Sequence, residues 1–295
     1  MKIYIWAQQG RLGNLIFQYQ AIKKMAKKGD FIVSLDNEVF RVLQVDGRTL
    51  RVPFTLLSKY NFLSKLCIHI WGIFFLYFSK LRLFSLIEAE ETLVNNYVSE
   101  TRKLIFRPGL FRFLIVVRGF FQNDENFLNP IVLQKEVKEK AAEKLYLLAG
   151  SKIRIGLHIR TTDYEKWSIM GKQGLIIPRD WYIKAMELMN MRFPDACYVV
   201  FSDDSFTAKL FFKGRDYAMY SGDSDFEDLV AMAQCDHLII SPSSFSLAAG
   251  LASYKPGKII IAPKYWLGFK SREWFPVDIF SNKLEYLDID QVYNN

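Results

Sequence analysis

The chain has 295 residues, is 51% hydrophobic and 24% charged, and carries a formal net charge of +8 at pH 7. Three cysteines and three scattered histidines provide neither a disulfide framework nor the ligand spacing of a metal site. No nucleic-acid-binding motif accompanies the basic charge, so we expect no metal centre and no nucleic-acid partner. The length suits two domains of ordinary size.

The chain begins with a predicted strand, a glycine turn and a helix. Residues 2–6 form an apolar strand, residues 8–14 form a turn with two glycines, and the helix is predicted from about Leu15 to Lys28. The free N–H groups at the start of such a helix suit a phosphate or a sugar. The turn lacks the third glycine of a dinucleotide-binding fingerprint, and the sequence contains no Walker-type phosphate loop.

The basic excess lies in the N-terminal half and includes an unusual segment. No acidic residue occurs from 47 to 87, and residues 66–79 are uncharged and rich in large apolar side chains, Trp71 among them. That stretch is shorter than the about 20 residues of a membrane-spanning helix. Two interpretations stay open, a buried core helix and an interfacial helix that brings residues 47–87 to an anionic membrane surface.

The C-terminal half alternates between short apolar runs and helical segments after a break near residues 149–151. Strands are predicted at 153–160, 197–201, 237–240 and 258–262, and helices at 181–191, 205–212 and 225–233. Such alternation is typical of parallel βαβ units, whose strand ends lie along one edge of the sheet. We therefore expect the polar clusters at 158–164, 202–204 and 241–246 to converge there.

The side chains in these clusters suit a ligand with phosphate groups. Arg160 offers a permanent charge and a planar fork of donors that matches phosphate, and His158 projects from the same strand. Serines follow the third strand where a helix should begin, and a helix start favours anions. Asp203 and Asp204 could hold a metal, accept hydrogen bonds from a base or ribose, or cap the next helix.

Five segments resemble, in order, the motifs of the α-1,2-fucosyltransferases, glycosyltransferase family 11. They are residues 10–19, 119–127, 158–164, 201–204 and 243–246. The resemblance implies an α/β protein with the GT-B-type fold of two Rossmann-like domains facing a cleft. It further implies that residues 1–150 form an N-terminal acceptor-side domain and residues 151–295 a C-terminal domain that binds the GDP-sugar.

The same resemblance implies inverting transfer of L-fucose from GDP-fucose, without an obligatory metal or other cofactor. Arg160 would hold the donor β-phosphate and stabilise the leaving GDP. The other donor-binding residues implied are Arg11 and Asn14 at the sugar or phosphate, His158, Asp203 and Asp204 at the guanine and ribose, and Ser243, Ser244, Phe245 and Ser246 around the diphosphate.

The identity of the general base stays open. Asp163, Asp124 and Glu125 are the candidate carboxylates, with Gln122 beside the last two on the acceptor side. Asp163 is better placed to orient Arg160, and a strongly dissociative transfer needs no strong base.

The chain departs from the family pattern at two places. Thr161 stands where the signature has a second arginine, and Leu247, Ala248 and Ala249 stand where tryptophans are common. A donor other than GDP-fucose is therefore one alternative, and a non-enzymatic basic protein at a membrane is a more distant one.

The resemblance also suggests an acceptor and a location. By analogy, the acceptor is the 2-hydroxyl of a galactose-type residue in a bacterial surface-glycan precursor, such as an O-antigen repeat of lipopolysaccharide. Because the first residues already form a strand, we expect no signal peptide and a cytoplasmic enzyme, with peripheral contact at the inner face of the plasma membrane as an option.

Overall fold

The computed structural model describes residues 1–35, 38–45, 47–51, 61–127 and 131–290, and within the helix at 61–80 it describes side chains from residue 70 onward. The chain divides into two compact α/β units. The first comprises Met1–Thr92 with Glu100–Asn126, and the second comprises Leu93–Ser99 with Phe127–Asn295.

The first unit is built on a six-stranded sheet in the order β3-β2-β1-β6-β4-β5. Its strands are β1 (Ile3–Trp6), β2 (Phe31–Ser34), β3 (Thr49–Arg51), β4 (Phe84–Val94), β5 (Tyr97–Arg107) and β6 (Phe111–Arg118). Strands β1, β2, β3, β6 and β4 are paired in parallel. The last two residues before β5 are Asn95 and Asn96, whose φ angles of 46° and 65° suit a tight hairpin turn.

Among its described residues, this unit has two α-helices, α1 (Leu12–Met25) and α2 (Asn61–Lys80). Helix α1 begins three residues before the predicted start, because Arg11 is its N-cap residue, and it ends at Met25 rather than near Gly29. Helix α1 is almost wholly buried, and its Tyr19 stacks on Trp6 of β1 with ring centroids 5.8 Å apart. This packing fixes the turn between β1 and α1 over the sheet.

The second unit contains the parallel sheet predicted from the alternating pattern, in the order β11-β10-β7-β12-β13-β14. Its strands are β7 (Arg154–Ile159), β10 (Cys197–Ser202), β11 (Ala218–Met219), β12 (His237–Ile240), β13 (Ile260–Pro263) and β14 (Glu285–Leu287), and β8 (Ser168–Ile169) and β9 (Lys172–Gln173) form a separate small ribbon. The helices are α3 (Lys135–Ala149), α4 (Arg179–Arg192), α5 (Ser205–Phe211), α6 (Asp225–Gln234) and α7 (Ser244–Ala252). Every strand and helix predicted after residue 150 is confirmed.

The division between the units differs from the predicted boundary at residue 150. Helix α3 packs with the second unit, because two of its lysines pair with one buried carboxylate of α6. Lys144 Nζ lies 2.6 Å from Glu227 Oε1, and Lys140 Nζ lies 3.1 Å from Glu227 Oε2. Residues 135–149 therefore fold with the chain that follows them.

Helix α2 lies within the segment at residues 47–87 that has no acidic residue. Residues 52–60 of that segment lie outside the described residues. Among the residues that the structure describes, no helix is long and apolar enough to cross a membrane. The C-terminal half of α2 is not the buried core helix considered above, since Trp71, Ile73, Phe74 and Tyr77 are all exposed.

We expect Glu227→Gln to lower the free energy of unfolding by about 2 kcal/mol at neutral pH. Burial alone would raise the pKa of Glu227, but Lys144, Lys140 and Tyr220 outweigh burial and hold that pKa below its ordinary value. The folded chain therefore binds fewer protons than the unfolded chain, and the stabilisation is lost as the pH falls below about 4.5.

Urea unfolding of parent and variant across this pH range measures the difference. Glu139→Gln is the matched control, because Glu139 pairs with Lys135 on the exposed surface of α3 and should change stability little. An equal effect of the two variants at neutral pH would contradict the assignment of Glu227 as the residue that holds α3.

Candidate functional site

The polar clusters of the second unit meet at the carboxyl end of its sheet. His158 of β7 pairs in register with Phe201 of β10 on one side and with Ile240 of β12 on the other. The three strands therefore end at the same level, and the loops that follow them start side by side. The predicted convergence of residues 158–164, 202–204 and 241–246 is confirmed.

Arg160 lies directly after β7 and is held by two carboxylates. Its Nε and Nη2 atoms each donate to an oxygen of Asp163 at 2.8 Å, and its Nη1 lies 3.2 Å from Asp203 Oδ2. Burial alone would lower the pKa of Arg160, but the bonds to Asp163 and the charge of Asp203 outweigh it and raise that pKa. The guanidinium has five N–H donors, so these contacts leave two for a ligand.

Asp203 is the residue that organises this edge. Its carboxylate accepts from the backbone N–H groups of Thr161 and Thr162 at 3.0 and 3.3 Å, and from their hydroxyls at 3.3 and 2.6 Å. Thr161, which replaces the family's second arginine, is buried and donates to this carboxylate. The departure from the signature therefore removes a cation and adds a hydrogen bond that holds the loop.

His158 is buried under the same edge. Its Nδ1 lies 2.7 Å from the hydroxyl of Ser241, and its ring centroid lies 5.7 Å from that of Phe245. Burial lowers the pKa of His158 to about 3; Asp203 opposes this shift and Arg160 adds to it. The imidazole is therefore neutral near pH 7 and offers a hydrogen bond rather than a charge. Ser241 belongs to the predicted cluster 241–246, but no role in binding was predicted for it, and its position at the end of β12 is the only signal in the sequence.

Asp204 has a different role from its neighbour Asp203. It is the N-cap of α5, and its carboxylate accepts from the N–H groups of Phe206 and Thr207 at 3.0 and 3.3 Å and from the Thr207 hydroxyl at 2.6 Å. The Thr207 bonds hold the pKa of Asp204 below its ordinary value. Three roles were considered for Asp203 and Asp204, and the structure gives Asp204 that of the helix cap.

The predicted serines surround the start of α7. Ser243 is the N-cap, and its hydroxyl accepts from the Phe245 N–H at 3.3 Å. Ser244, the first helical residue, and Phe245 are partly exposed. Ser246 is fully buried, and its hydroxyl lies 3.2 Å from the carbonyl oxygens of Ser241 and Ser243. Ser246 therefore holds the turn, Ser243 is a buried cap, and Ser244 and Phe245 are the members of this predicted group that solvent reaches.

In the first unit, a side chain of α1 holds the glycine turn after β1 by two hydrogen bonds. Gln18 of α1 accepts from the Gln9 N–H at 3.1 Å and donates to the Gln9 carbonyl at 2.6 Å. Gly10 has φ of 79°, and a Cβ atom there would lie 2.3 Å from the Asn14 side chain. Arg11 is exposed beside this turn. Only glycine at position 10 therefore leaves Asn14 in place.

The predicted central segment reaches the same turn. Gln122 donates from Nε2 to Asn14 Oδ1 at 2.6 Å, which joins the first and second motifs within this unit. The segment is supported by Glu100 of β5, whose carboxylate accepts from Phe120 N–H at 2.7 Å and from Phe121 N–H at 3.1 Å. Burial raises the pKa of Glu100 despite these two bonds. The sequence gives no sign of this role for Glu100.

The two acceptor-side carboxylates are ion-paired. They lie on the single turn Asp124–Asn126, where Glu125 contacts Arg102 at 2.8 Å and Lys24 at 3.8 Å. Asp124 lies 3.9 Å from the same arginine and is far less exposed than Glu125. Neither geometry selects a general base.

Comparison with known proteins adds independent findings. The sequence profile described as glycosyl transferase family 11 matches residues 97–274, which is more than half of the chain. "Alpha-1,2-colitosyltransferase" of Escherichia coli is 29% identical over 165 residues, covering 50% of this chain and 54% of that protein. "O-antigen biosynthesis glycosyltransferase WbnK" of Escherichia coli is 25% identical over 130 residues, covering 43% of each. The chain thus spans about half the length of the curated relatives it matches.

A solved structure gives the fold class. The crystal structure of POFUT1 in complex with GDP aligns with a TM-score of 0.55, covering 88% of this chain and 97% of that chain at 11% identity. At that identity the likeness concerns the fold alone. The predicted GT-B-type fold with two α/β units is confirmed.

We expect NMR to find His158 neutral from neutral pH down to about pH 5, because its pKa of about 3 lies well below that range. The unfolded chain has the ordinary histidine pKa of 6.5, so between about pH 3 and pH 6.5 the folded chain binds fewer protons than the unfolded chain. His158 therefore makes the free energy of unfolding fall as the pH drops below about 6.5. The same resonance in urea supplies the unfolded reference. A midpoint near the ordinary histidine value in the folded chain would show that the imidazole is not buried against Ser241.

Proposed function

Because this chain belongs to glycosyl transferase family 11, and is therefore a glycosyltransferase, we propose that it transfers L-fucose from GDP-fucose to a glycan hydroxyl with inversion. The observation that carries the proposal is Arg160, held at the carboxyl end of β7 with two donors left free, beside the serine-capped start of α7. Directed N–H donors of this kind are what a diphosphate leaving group requires.

The charge movement in the reaction explains the arrangement. The bond from fucose C1 to the β-phosphate oxygen breaks, and both electrons leave with GDP. The acceptor oxygen forms the new bond to C1 and gives its proton to the general base. Arg160 and the N–H groups at the start of α7 stabilise the negative charge that develops on GDP. Because Asp163 and Asp203 already fix the guanidinium, little reorganisation is needed as this charge forms.

The remaining donor-side groups have distinct parts in the proposal. Ser243 and Ser244 contact the diphosphate, while His158 stays neutral and offers its other ring nitrogen to the ribose or guanine. Asp203 acts mainly by positioning Arg160 through the Thr161–Thr162 loop. Asp163 is likewise a positioning residue, since both of its oxygens accept from the guanidinium.

In the first unit, Arg11 and Asn14 at the glycine turn contact the donor sugar or phosphate, and Gln122, which donates to Asn14, contacts the acceptor. Asp124 and Glu125 are the two candidates for the general base, and kcat measurements on Asp124→Asn and Glu125→Gln separate them. Because both carboxylates pair with Arg102, a strong loss in only one variant would identify the base.

We propose that the transfer needs no metal. Within the described parts of the chain, no three histidine, cysteine, aspartate or glutamate side chains are grouped to share an ion. The two acids beside Arg160, Asp163 and Asp203, are both paired with its guanidinium. Transfer in the presence of EDTA tests this part of the proposal directly.

Colitose is the second candidate for the transferred sugar. The specific observation in its favour is the similarity to a colitosyltransferase of Escherichia coli. Colitose is fucose without its 3-hydroxyl, so GDP-fucose and GDP-colitose differ by a single hydroxyl. A site that hydrogen-bonds this hydroxyl discriminates strongly against the sugar that lacks it, and competition between the two donors decides between the candidates.

The acceptor we propose is the 2-hydroxyl of a galactose-type residue in a surface-glycan precursor of the O-antigen kind, made at the cytoplasmic side of the plasma membrane. The name of the second Escherichia coli relative supports this class of acceptor. A non-enzymatic basic protein, the remote alternative, is set aside because the chain belongs to a family of transferases.

We expect Arg160→Ala to weaken GDP binding about 100-fold or more, because the phosphate loses its charged donor and two carboxylates remain uncompensated. Calorimetry with GDP, GDP-fucose, GDP-mannose and UDP-galactose, each with and without EDTA, measures the effect and the donor choice. Arg192→Ala is the matched control, since Arg192 also binds a carboxylate, Glu285, but at the surface. Preference for UDP-galactose would keep the fold and overturn the donor assignment.

We expect Thr162→Val to weaken GDP binding about tenfold, because the loss of a hydrogen bond to the Asp203 carboxylate loosens the loop that carries Arg160. Thr207→Val is the control, because its hydroxyl bonds the neighbouring Asp204 at the same distance of 2.6 Å. That control should lower stability and leave GDP binding unchanged. Equal GDP affinities for Thr162→Val and the parent would show that Asp203 does not position Arg160.

A further inference from the structure

The first unit carries an exposed aromatic face away from its glycine turn. The face consists of Trp71, Ile73, Phe74 and Tyr77 of α2 together with Phe111 and Phe113 of β6, each between 41% and 57% exposed. Single exposed apolar residues are common on the surfaces of soluble proteins, but a contiguous exposed patch of large apolar side chains marks an interaction surface.

Ring contacts make this face continuous from the helix to the strand. Trp71 contacts Phe74 at 5.4 Å between centroids, and Phe74 contacts Phe78 at 4.4 Å. Phe78 contacts Phe84 at 5.8 Å, and Phe84 contacts Phe111 at 6.3 Å. Phe111 in turn lies 6.2 Å from Phe113. Helix and strand therefore present one surface.

The opposite side of α2 already has its partners. Phe75 and Leu76 pack with Leu86 and Val116 in a small core cluster over the sheet. A helix of a globular protein normally turns polar residues to water on its outer side. Here the outer side between residues 70 and 77 is apolar and aromatic, and packing among the described residues of this unit does not account for it.

The charges around the face are basic. Lys80, the last residue of α2, and Arg82, which follows it closely, are exposed and form no ion pair with any described residue. The sequence from 47 to 87, which contains α2, has no acidic residue at all. Exposed lysine and arginine beside tryptophan, tyrosine and phenylalanine match the headgroup region of an anionic bilayer, where aromatic rings lie between water and acyl chains.

We propose that this aromatic face inserts into the interface of an anionic lipid bilayer and holds the protein at the membrane surface. A second copy of the chain fits less well, because a two-fold interface would bring the same basic residues together. Anionic lipid supplies the complementary charge. The contact is interfacial, since no described helix is long and apolar enough to cross the bilayer.

The geometry also indicates what the attachment would do, and this part rests on the proposed function. Strand β6 starts in the aromatic face at Phe111 and ends at Arg118, directly before the segment that carries Gln122. Eight strand residues span roughly 25 Å. The acceptor-side residues therefore lie a few sugar lengths along the strand from the lipid contact, which suits a glycan acceptor carried on a lipid.

Vesicle flotation with the full chain tests the proposal. The probes are vesicles of phosphatidylcholine alone and of phosphatidylcholine mixed with phosphatidylglycerol. We expect binding to the anionic vesicles that weakens with salt, and a loss of about thirty-fold or more for Lys80→Glu combined with Arg82→Glu. Ile73→Glu should abolish binding, because it places a charge in the apolar face.

Two matched controls keep the test specific. Leu147→Glu adds the same charge at an exposed leucine of α3, and Lys209→Glu with Lys213→Glu makes the same double reversal elsewhere on the surface. Both should bind vesicles like the parent. Circular dichroism and the unfolding midpoint verify that each variant is folded, and an unchanged GDP affinity of Ile73→Glu separates this proposal from the donor assignment.

Three results would overturn the membrane assignment. The first is no binding to anionic vesicles by the folded parent protein. The second is equal loss in the test and control variants, which would indicate a general charge effect. The third is a concentration-dependent dimer in sedimentation that Ile73→Glu dissociates without any vesicle binding by the parent, which would assign the face to a second copy of the chain.

Discussion

The carboxylate of Asp203 is the group on which the edge of the C-terminal sheet depends. Its side chain is 17% exposed, and a carboxylate largely removed from water is costly unless its oxygens are satisfied; here two backbone N–H groups, two hydroxyls and a guanidinium satisfy them. The loop after β7 therefore has one favourable conformation. Asp163 completes it by fixing the other side of Arg160, so the cation is oriented before any ligand arrives.

The electrostatics of the site come from directed donors rather than from net charge. Arg160 faces two carboxylates, and burial keeps His158 neutral, so this edge of the sheet carries no excess of positive side chains. What it offers an anion is the two unused N–H bonds of the guanidinium and the N–H groups at the start of α7. Their directions suit an anion of defined shape, such as a diphosphate, better than a diffuse polyanion.

Each unit uses polar side chains to hold an irregular loop at the end of a strand. Gln18 and Glu100 do this for the glycine turn and the Gly119–Gln122 segment, and Ser241 and Asp203 do it in the second unit. Loops held in this way keep their backbone groups satisfied without regular structure. In the first unit the exposed aromatic face lies at one end of β6, and the segment that carries Gln122 follows its other end, so the proposed membrane contact and the proposed acceptor site are separated by the length of the strand.

The sequence by itself determined the parallel sheet after residue 150, the positions of Arg160, His158 and the serines at strand ends, and the family, because local periodicity and short motifs encode these. Only the tertiary structure decided which of two adjacent aspartates organises the loop and which caps α5, since both follow the same strand. It also showed Ser246 buried, Glu100 supporting a distant segment, α3 joined to the second unit, and half of α2 exposed. Each depends on contacts between residues far apart in the chain, which no local pattern records.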